Sequence, residues 1–164
     1  MSPLLVLAST SPRRKELLQQ IGVVFTQLSI DINEDVAVGE NAEQYVLRLA
    51  KEKAAAGFER LSAAEKASTV VLAADTTVVC AGQILAKPES LSHSKEILSQ
   101  LSGREHVVMS AIGMHSQDRN LQKVVTTKVR FRSISDAEIE AYWHSGEPQD
   151  KAGSYGIQGL GAVF

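Results

Sequence analysis

Residues 69–75 read Thr-Val-Val-Leu-Ala-Ala-Asp. Six residues without a charge, two of them valine, end on a carboxylate. An unbroken apolar run of this length predicts a strand buried on both faces, the kind found inside a parallel or mixed sheet. The charged residue that ends it predicts the carboxyl end of that strand, where the sites of open α/β sheets collect.

The flanking chain alternates in the manner such a sheet requires. Leu4–Ala8 is a second buried run. Ser11-Pro12 then predicts a helix start, because Pro at the first helical position loses no hydrogen bond. Leu17, Leu18 and Ile21 supply an apolar face and Gly22 a stop. Residues 25–30 alternate as a short strand, and residues 31–40 form an acidic loop. Asn41 and Gln44 make a capping box for a longer helix whose stripe runs Ala42, Tyr45, Val46, Leu49 and Lys53. Residues 61–68 predict a surface connection.

Residues 77–85 fold back as a hairpin about Ala81-Gly82, and residues 94–101 predict a short helix stopped by Gly103. Residues 106–115 and 121–132 are two more strands. In the second, Val125, Val129 and Phe131 share a face with Thr127, while Lys128, Arg130 and Arg132 face the other way. Ser135 with Glu138 is a capping box before Ile139, Tyr142 and Trp143. Strands alternating with helices, plus hairpins, predict a single α/β domain of mixed α+β character.

Composition narrows the function. The 164 residues are enough for one domain, and 44% apolar with 22% charged residues describes a folded chain. A net charge of -2 argues against a protein held on nucleic acid by bulk charge. The run PLLVLA at residues 3–8 is far too short to span a bilayer, and no basic residue precedes it. Neither membrane nor nucleic acid is therefore expected as a partner. The single cysteine, Cys80, cannot form an internal disulfide, which suits a reducing, cytoplasmic compartment.

Four features point to chemistry. Arg13, Arg14 and Lys15 crowd the first turn of a helix, where the macrodipole favours anions. Either an anionic ligand reverses that conflict, as at phosphate sites, or the cluster is simply solvated. Asp75 is either a catalytic carboxylate or a turn cap. Lys53 falls on an apolar helix stripe, where its stem snorkels or its ammonium enters a pocket, and Lys87 before Pro88 raises the same question. The tail 151–161 carries four of the eleven glycines around Gln158. The Gln158 amide suits one edge of a nucleobase, or an ordinary backbone bond. The four histidines lack metal-ligand spacing, no Walker loop is present, and Ser9 and Ser11 lack the setting of a hydrolase nucleophile.

Taken in order, Leu7-Ala8-Ser9-Thr10-Ser11-Pro12-Arg13-Arg14, Glu34, Leu49-Ala50-Lys51-Glu52-Lys53-Ala54, Ala74-Asp75-Thr76, Lys87-Pro88, Leu101-Ser102-Gly103-Arg104, Asp150-Lys151-Ala152-Gly153 and Tyr155-Gly156-Ile157-Gln158-Gly159 resemble the Maf family. The likeness runs from residue 4 to residue 164. It implies a mixed, twisted sheet flanked by helices, with two lobes around a cleft. It also implies a metal-dependent pyrophosphatase that cleaves nucleoside triphosphates between the α and β phosphates. On that likeness Asp75 activates water. Ser9, Arg13, Arg14, Lys53 and Lys87 grip the polyphosphate, and Glu34 and Asp75 hold Mg²⁺ or Mn²⁺. Arg13, Thr76 and Gln158 match positions tied to base choice.

The Tyr-Gly-Ile-Gln tail resembles the dTTP/UTP branch, whose role is removal of unwanted nucleotides. Gln158 would accept from N3–H and donate to O4 of uracil or thymine, a pair that cytosine does not return. Two other readings are a nucleotide-binding regulator of cell division without turnover and a pyrophosphatase for purine or modified nucleotides. The family pattern continues beyond the point where this chain stops, so a C-terminal segment is expected to be missing, and an edge so exposed could drive homodimer formation.

Overall fold

The computed structural model describes residues 4–164. Six strands form one mixed sheet, in the order β2 (Thr26–Leu28), β1 (Leu4–Ala8), β3 (Thr69–Cys80), β5 (Glu105–His115), β6 (Asn120–Arg130), with β4 (Gln83–Leu85) paired to β3. The helices are α1 (Pro12–Gln20), α2 (Ala42–Glu59), α3 (Ala63–Lys66), α4 (Leu91–Leu101) and α5 (Asp136–His144), followed by short 3₁₀ turns in the tail. The α/β class with mixed α+β character is as the sequence predicts. Among the described residues no helix is long and apolar enough to cross a membrane.

The chain divides into two compact units. Residues up to Asp75, with Ser110–Val125, make the first, and Thr76–Met109 with Thr126–Phe164 make the second. In the first, β1 lies between β2 and β3 and is parallel to both, with Val6 opposite Thr26 on one side and Val71 on the other. Its core joins Val6, Ala8, Val71 and Ala73 from the strands to Ala54 and Phe58 of α2. In the second, α4 and α5 pack Ile97, Leu98, Leu101, Ile139 and Tyr142 around Val78, Phe131 and Tyr155. Cys80 is buried in that core.

Several expectations need correction. Asp75 does not end its strand: β3 runs on for five more residues to Cys80 before the Ala81-Gly82 turn, where both residues have positive φ. The turn-cap reading of Asp75 therefore fails. No residue of α1 is buried, and Leu17 and Ile21 face solvent, so that helix has no sealed apolar face. The strand placed at residues 25–30 shrinks to Thr26–Leu28.

The surface connection at residues 61–68 contains a one-turn helix capped by Ser62 and Glu65. Helix α4 begins at Leu91, three residues early, because Ser90 caps it. On β6, Phe131 beyond the strand end is buried, but Val125 is exposed, so the predicted apolar face is broken.

Candidate active site

The first unit gathers charge around the middle of β3. Asp75 sits in the strand with its residue almost buried, and α2 brings Lys53 across to it. Lys53 Nζ donates to Asp75 Oδ1 at 2.8 Å and lies 2.5 Å from Glu34 Oε1. The ammonium is thus shared by two carboxylates, and its side chain is only 12% exposed. This explains a lysine on the apolar stripe of α2. The four-carbon stem covers core surface, as snorkelling requires, while the head meets fixed anions instead of bulk water.

The turn between β1 and α1 adds the second cation. Ser9 is buried, and its Oγ accepts from the Ser11 backbone N–H at 3.2 Å and from Arg14 Nη1 at 3.1 Å. Gln27 of β2 holds the Ser9 carbonyl from Nε2 at 2.7 Å. Arg14 is therefore folded back over the turn. Burial works against its charge, and the nearby carboxylates of Asp75 and Glu34 restore part of it. Burial also pushes the Asp75 carboxyl above its ordinary range, while Lys53 and Arg14 pull it down and Glu34 pushes it up. Opposed pulls of burial and charge on one carboxyl are a common feature of groups that exchange protons in active sites.

The loop holding Glu34 is fixed by α2. Tyr45 Oη donates to the Glu34 carbonyl at 2.9 Å. Arg48 is bidentate to Glu40, Nε to Oε1 at 2.7 Å and Nη2 to Oε2 at 2.9 Å, and Nη2 also reaches the Asp35 carbonyl at 2.8 Å. Arg48 holds the Glu40 carboxyl down to about 2, so the clamp is charged at any working pH. Sequence reasoning passed over Arg48 and Gln27, and placed Tyr45 on the apolar stripe without its bond to the Glu34 loop. A cation on the loop-facing side of α2, with a cluster of acids eight to fourteen residues earlier, was the only available signal. Arg48→Met is expected to free residues 34–40, read as at least about tenfold faster amide exchange there with little change elsewhere. Unchanged exchange would mean that the clamp holds nothing.

The predicted site residues do not all meet. Ser9, Arg14, Glu34, Lys53 and Asp75 cluster in the first unit. Arg13 turns outward and pairs with Glu16 at 3.4 Å, and Lys15 is exposed. Of the three cations in the turn, only Arg14 enters the cluster. Thr76, Lys87 and Gln158 belong to the second unit and are exposed. There Lys151, and to a smaller degree Lys87, hold the Asp150 carboxyl below its usual range, so Lys87 lies near the start of the tail.

The tail itself is ordered by Glu147, which the sequence reading also missed. Its carboxylate accepts from Tyr142 Oη at 2.7 Å, the Leu160 N–H at 2.7 Å and the Gly161 N–H at 3.1 Å. The same carboxylate occupies the space where a Cβ on Gly159 would project, which is why the chain beside Gln158 needs glycine.

Glu34 and Asp75 also decide whether a metal fits. Among the described residues no group of three or more His, Cys, Asp or Glu side chains is gathered for an ion. That excludes a closed, zinc-type cage from these residues. Mg²⁺ needs only one or two carboxylates, completing its shell with water and phosphate oxygens. Two carboxylate oxygens that already converge on one cation meet that requirement.

The comparisons agree with the geometry. A family model described as Maf-like protein matches residues 4–164. A curated protein of Vibrio parahaemolyticus, named dTTP/UTP pyrophosphatase, is 53% identical over 160 residues, covering 98% of this chain and 82% of that protein. Proteins of the same name from Photobacterium profundum and Methylococcus capsulatus are each 48% identical, covering 98% of this chain and 83% and 77% of their own lengths.

Proposed function

This chain belongs to the Maf family, and from that premise we propose that it hydrolyses dTTP and UTP to the nucleoside monophosphate and pyrophosphate. The observation that carries the proposal is the cluster of two cations and two carboxylates built from Arg14, Lys53, Glu34 and Asp75. A binding module for a triphosphate needs cations. It has no need for a buried carboxylate whose proton affinity has been raised. Enzymes that split an anhydride need both, one to draw off charge and the other to take a proton.

In this reading Arg14 and Lys53 bind phosphate oxygens and draw off negative charge as the anhydride bond lengthens. The Ser9 hydroxyl already accepts twice, so its own proton is the part it can offer a phosphate. Asp75 accepts the proton of the attacking water, and the α-phosphorus–oxygen bond to pyrophosphate breaks as the water oxygen bonds to phosphorus. Glu34 and Asp75 would hold a divalent cation, Mg²⁺ or Mn²⁺, which when bound supplies further neutralisation of the triphosphate. Arg13 and Lys87, both solvent-facing here, are assigned to the polyphosphate grip. A reducing cytoplasmic setting and a role in removing unwanted nucleotides complete the proposal.

Base choice is assigned to Gln158, and Thr76 and Arg13 share that assignment. The amide accepts from N3–H and donates to O4 of thymine or uracil. Cytosine offers the reverse pattern, which a flipped amide would match, so selectivity needs the amide held one way round. Gln158→Glu removes the donor and sets a carboxylate against O4. The ratio of kcat/KM for dTTP over dCTP is expected to fall about ten- to hundredfold, the worth of one unsatisfied polar contact. An unchanged ratio would remove Gln158 from the specificity role.

The test of the whole reading is pyrophosphate release from a panel of nucleoside triphosphates with Mg²⁺ or Mn²⁺. Turnover of dTTP and UTP ahead of the others is the expected result. Tight binding without release would favour a non-catalytic nucleotide-binding regulator. Preference for purine or modified nucleotides would overturn the branch.

A further inference from the structure

The four charged groups at the centre of the first unit balance. Arg14 and Lys53 are cations, and Glu34 and Asp75 are carboxylates. Lys53 is not merely near the two acids. It lies 2.5 Å from Glu34 Oε1 and 2.8 Å from Asp75 Oδ1, so one ammonium occupies the point where both converge. Side-chain exposure is 12% for Lys53 and 11% for Asp75, so water screens their contact poorly, while Glu34, 44% exposed, meets the ammonium from the solvent side. The stem of Lys53 leaves a helix whose buried residues include Leu49, Ala50 and Ala54, which limits where the ammonium can retreat.

Consider what a divalent cation meets on arriving alone. Both carboxylates are already engaged, and Arg14 stands beside them. Entry would force the ammonium off its partners and leave excess positive charge in a partly buried place. A cation arriving with a triphosphate meets a different balance. The complex is an anion, and its phosphate oxygens give the ammonium and the guanidinium new partners as the carboxylates turn to the metal.

We propose that Lys53 is the internal counter-ion of the Glu34–Asp75 pair, keeping the divalent cation out until a triphosphate brings it in. The inference rests on the reading above that this pair is a metal and triphosphate site. It assigns Lys53 two successive partners: carboxylate before substrate arrives, phosphate afterwards. It also makes metal and nucleotide strongly coupled ligands, each raising the other's affinity by the same factor.

The test uses Mn²⁺ alone, titrated into the full chain without nucleotide and followed by electron paramagnetic resonance or water-proton relaxation. Lys53→Met keeps most of the stem and removes the charge. It is expected to bind free Mn²⁺ at least about tenfold tighter than the unsubstituted chain, although a predicted phosphate ligand has been lost. Lys53→Arg keeps the charge and should stay at the unsubstituted level. Adding Asp75→Asn to Lys53→Met should abolish the gain, which ties it to this pair and not to a surface acid. Lys53→Gln replaces the Met variant if the latter melts below the titration temperature.

A folded Lys53→Met chain that binds Mn²⁺ no more tightly than the unsubstituted chain would overturn the proposal. A tenfold gain in Lys53→Arg would do so as well, since charge would not be the cause. The enzymatic reading fails separately. If the unsubstituted chain released no pyrophosphate from any triphosphate while Lys53→Met still gained the metal, the counter-ion role would stand and the reaction would fall.

Discussion

Asp75→Asn is expected to lower kcat for dTTP by about a thousandfold or more, the upper part of the range for losing a general base, while dTTP affinity measured without divalent cation changes only a few-fold. The substitution is nearly isosteric. Asn Oδ1 still accepts from Lys53 Nζ, now at 2.8 Å from Asp75 Oδ1, and Glu34 still neutralises the ammonium. The fold therefore keeps its partners, and what disappears is the proposed proton acceptor together with one of the two carboxylates assigned to the metal. Measurements of dTTP binding by calorimetry beside pyrophosphate release separate the two effects. Normal turnover in the variant would remove Asp75 from the chemistry.

The pH profile gives a second readout with a definite sign. The working form of Asp75 is the anion, so kcat/KM must fall as pH falls through its pKa. Burial raises that value, with Lys53 and Arg14 opposing. The acid limb should therefore lie above the ordinary aspartate value of about 3.9. Stability runs the other way. The folded pKa exceeds the unfolded one, so the folded state binds more proton between them, and this group costs stability as pH rises through that window. An acid limb at the ordinary value, or one that survives in Asp75→Asn, would contradict the assignment.

The sequence showed this arrangement unevenly, for reasons of range. Capping boxes are local, and Asn41 with Gln44 and Ser135 with Glu138 form as the spacing demands. The same logic applied to Ser62 with Glu65 and to Ser90, yet those signals lay in polar stretches that read more naturally as loop. Asp75 was legible as an anomaly but misplaced at a strand end, because an acid in the middle of a strand is disfavoured until a distant lysine pairs with it. That lysine is 22 residues earlier. Nothing local to either residue reports the other.

Helix α1 shows the converse error. Leu17 and Ile21 have helical spacing, but apolar residues on a surface are common, and periodicity alone does not bury a face. Its cations divided for a reason that spacing could not reveal. Arg14 faces back to Ser9, while Arg13 faces Glu16 one turn on. The family likeness suggests the roles, and the folded chain shows the partners. Arg48, Gln27 and Glu147, and the loop-holding role of Tyr45, came to notice only in the folded chain.

Gly113→Ala is expected to destabilise the protein by about 2–3 kcal/mol and to impair the site as well. A Cβ at Gly113 of β5 would stand 2.5 Å from the Ala50 carbonyl oxygen and 2.7 Å from its carbonyl carbon. Both lie inside van der Waals contact, and both are backbone atoms that no rotamer change can move. Helix α2 must retreat from the strand, and Lys53 is one turn beyond Ala50 on that helix. Its shared contacts with Glu34 and Asp75 are short, so even a small retreat stretches both.

For a chain of this size the melting temperature should fall by roughly 5–10 °C. A displacement approaching 1 Å would reduce kcat/KM about tenfold to a hundredfold, measured well below the melt. The control is Ala50→Gly in the same background. Trimming that side chain leaves the carbonyl where it is, so it should rescue neither stability nor turnover. A Gly113→Ala chain that melts and turns over like the unsubstituted one would show that the helix does not lie so close to the strand. Rescue by Ala50→Gly would place the clash in a side chain. If both losses appear without rescue, one backbone contact between strand and helix sets the position of the ammonium that the two carboxylates share.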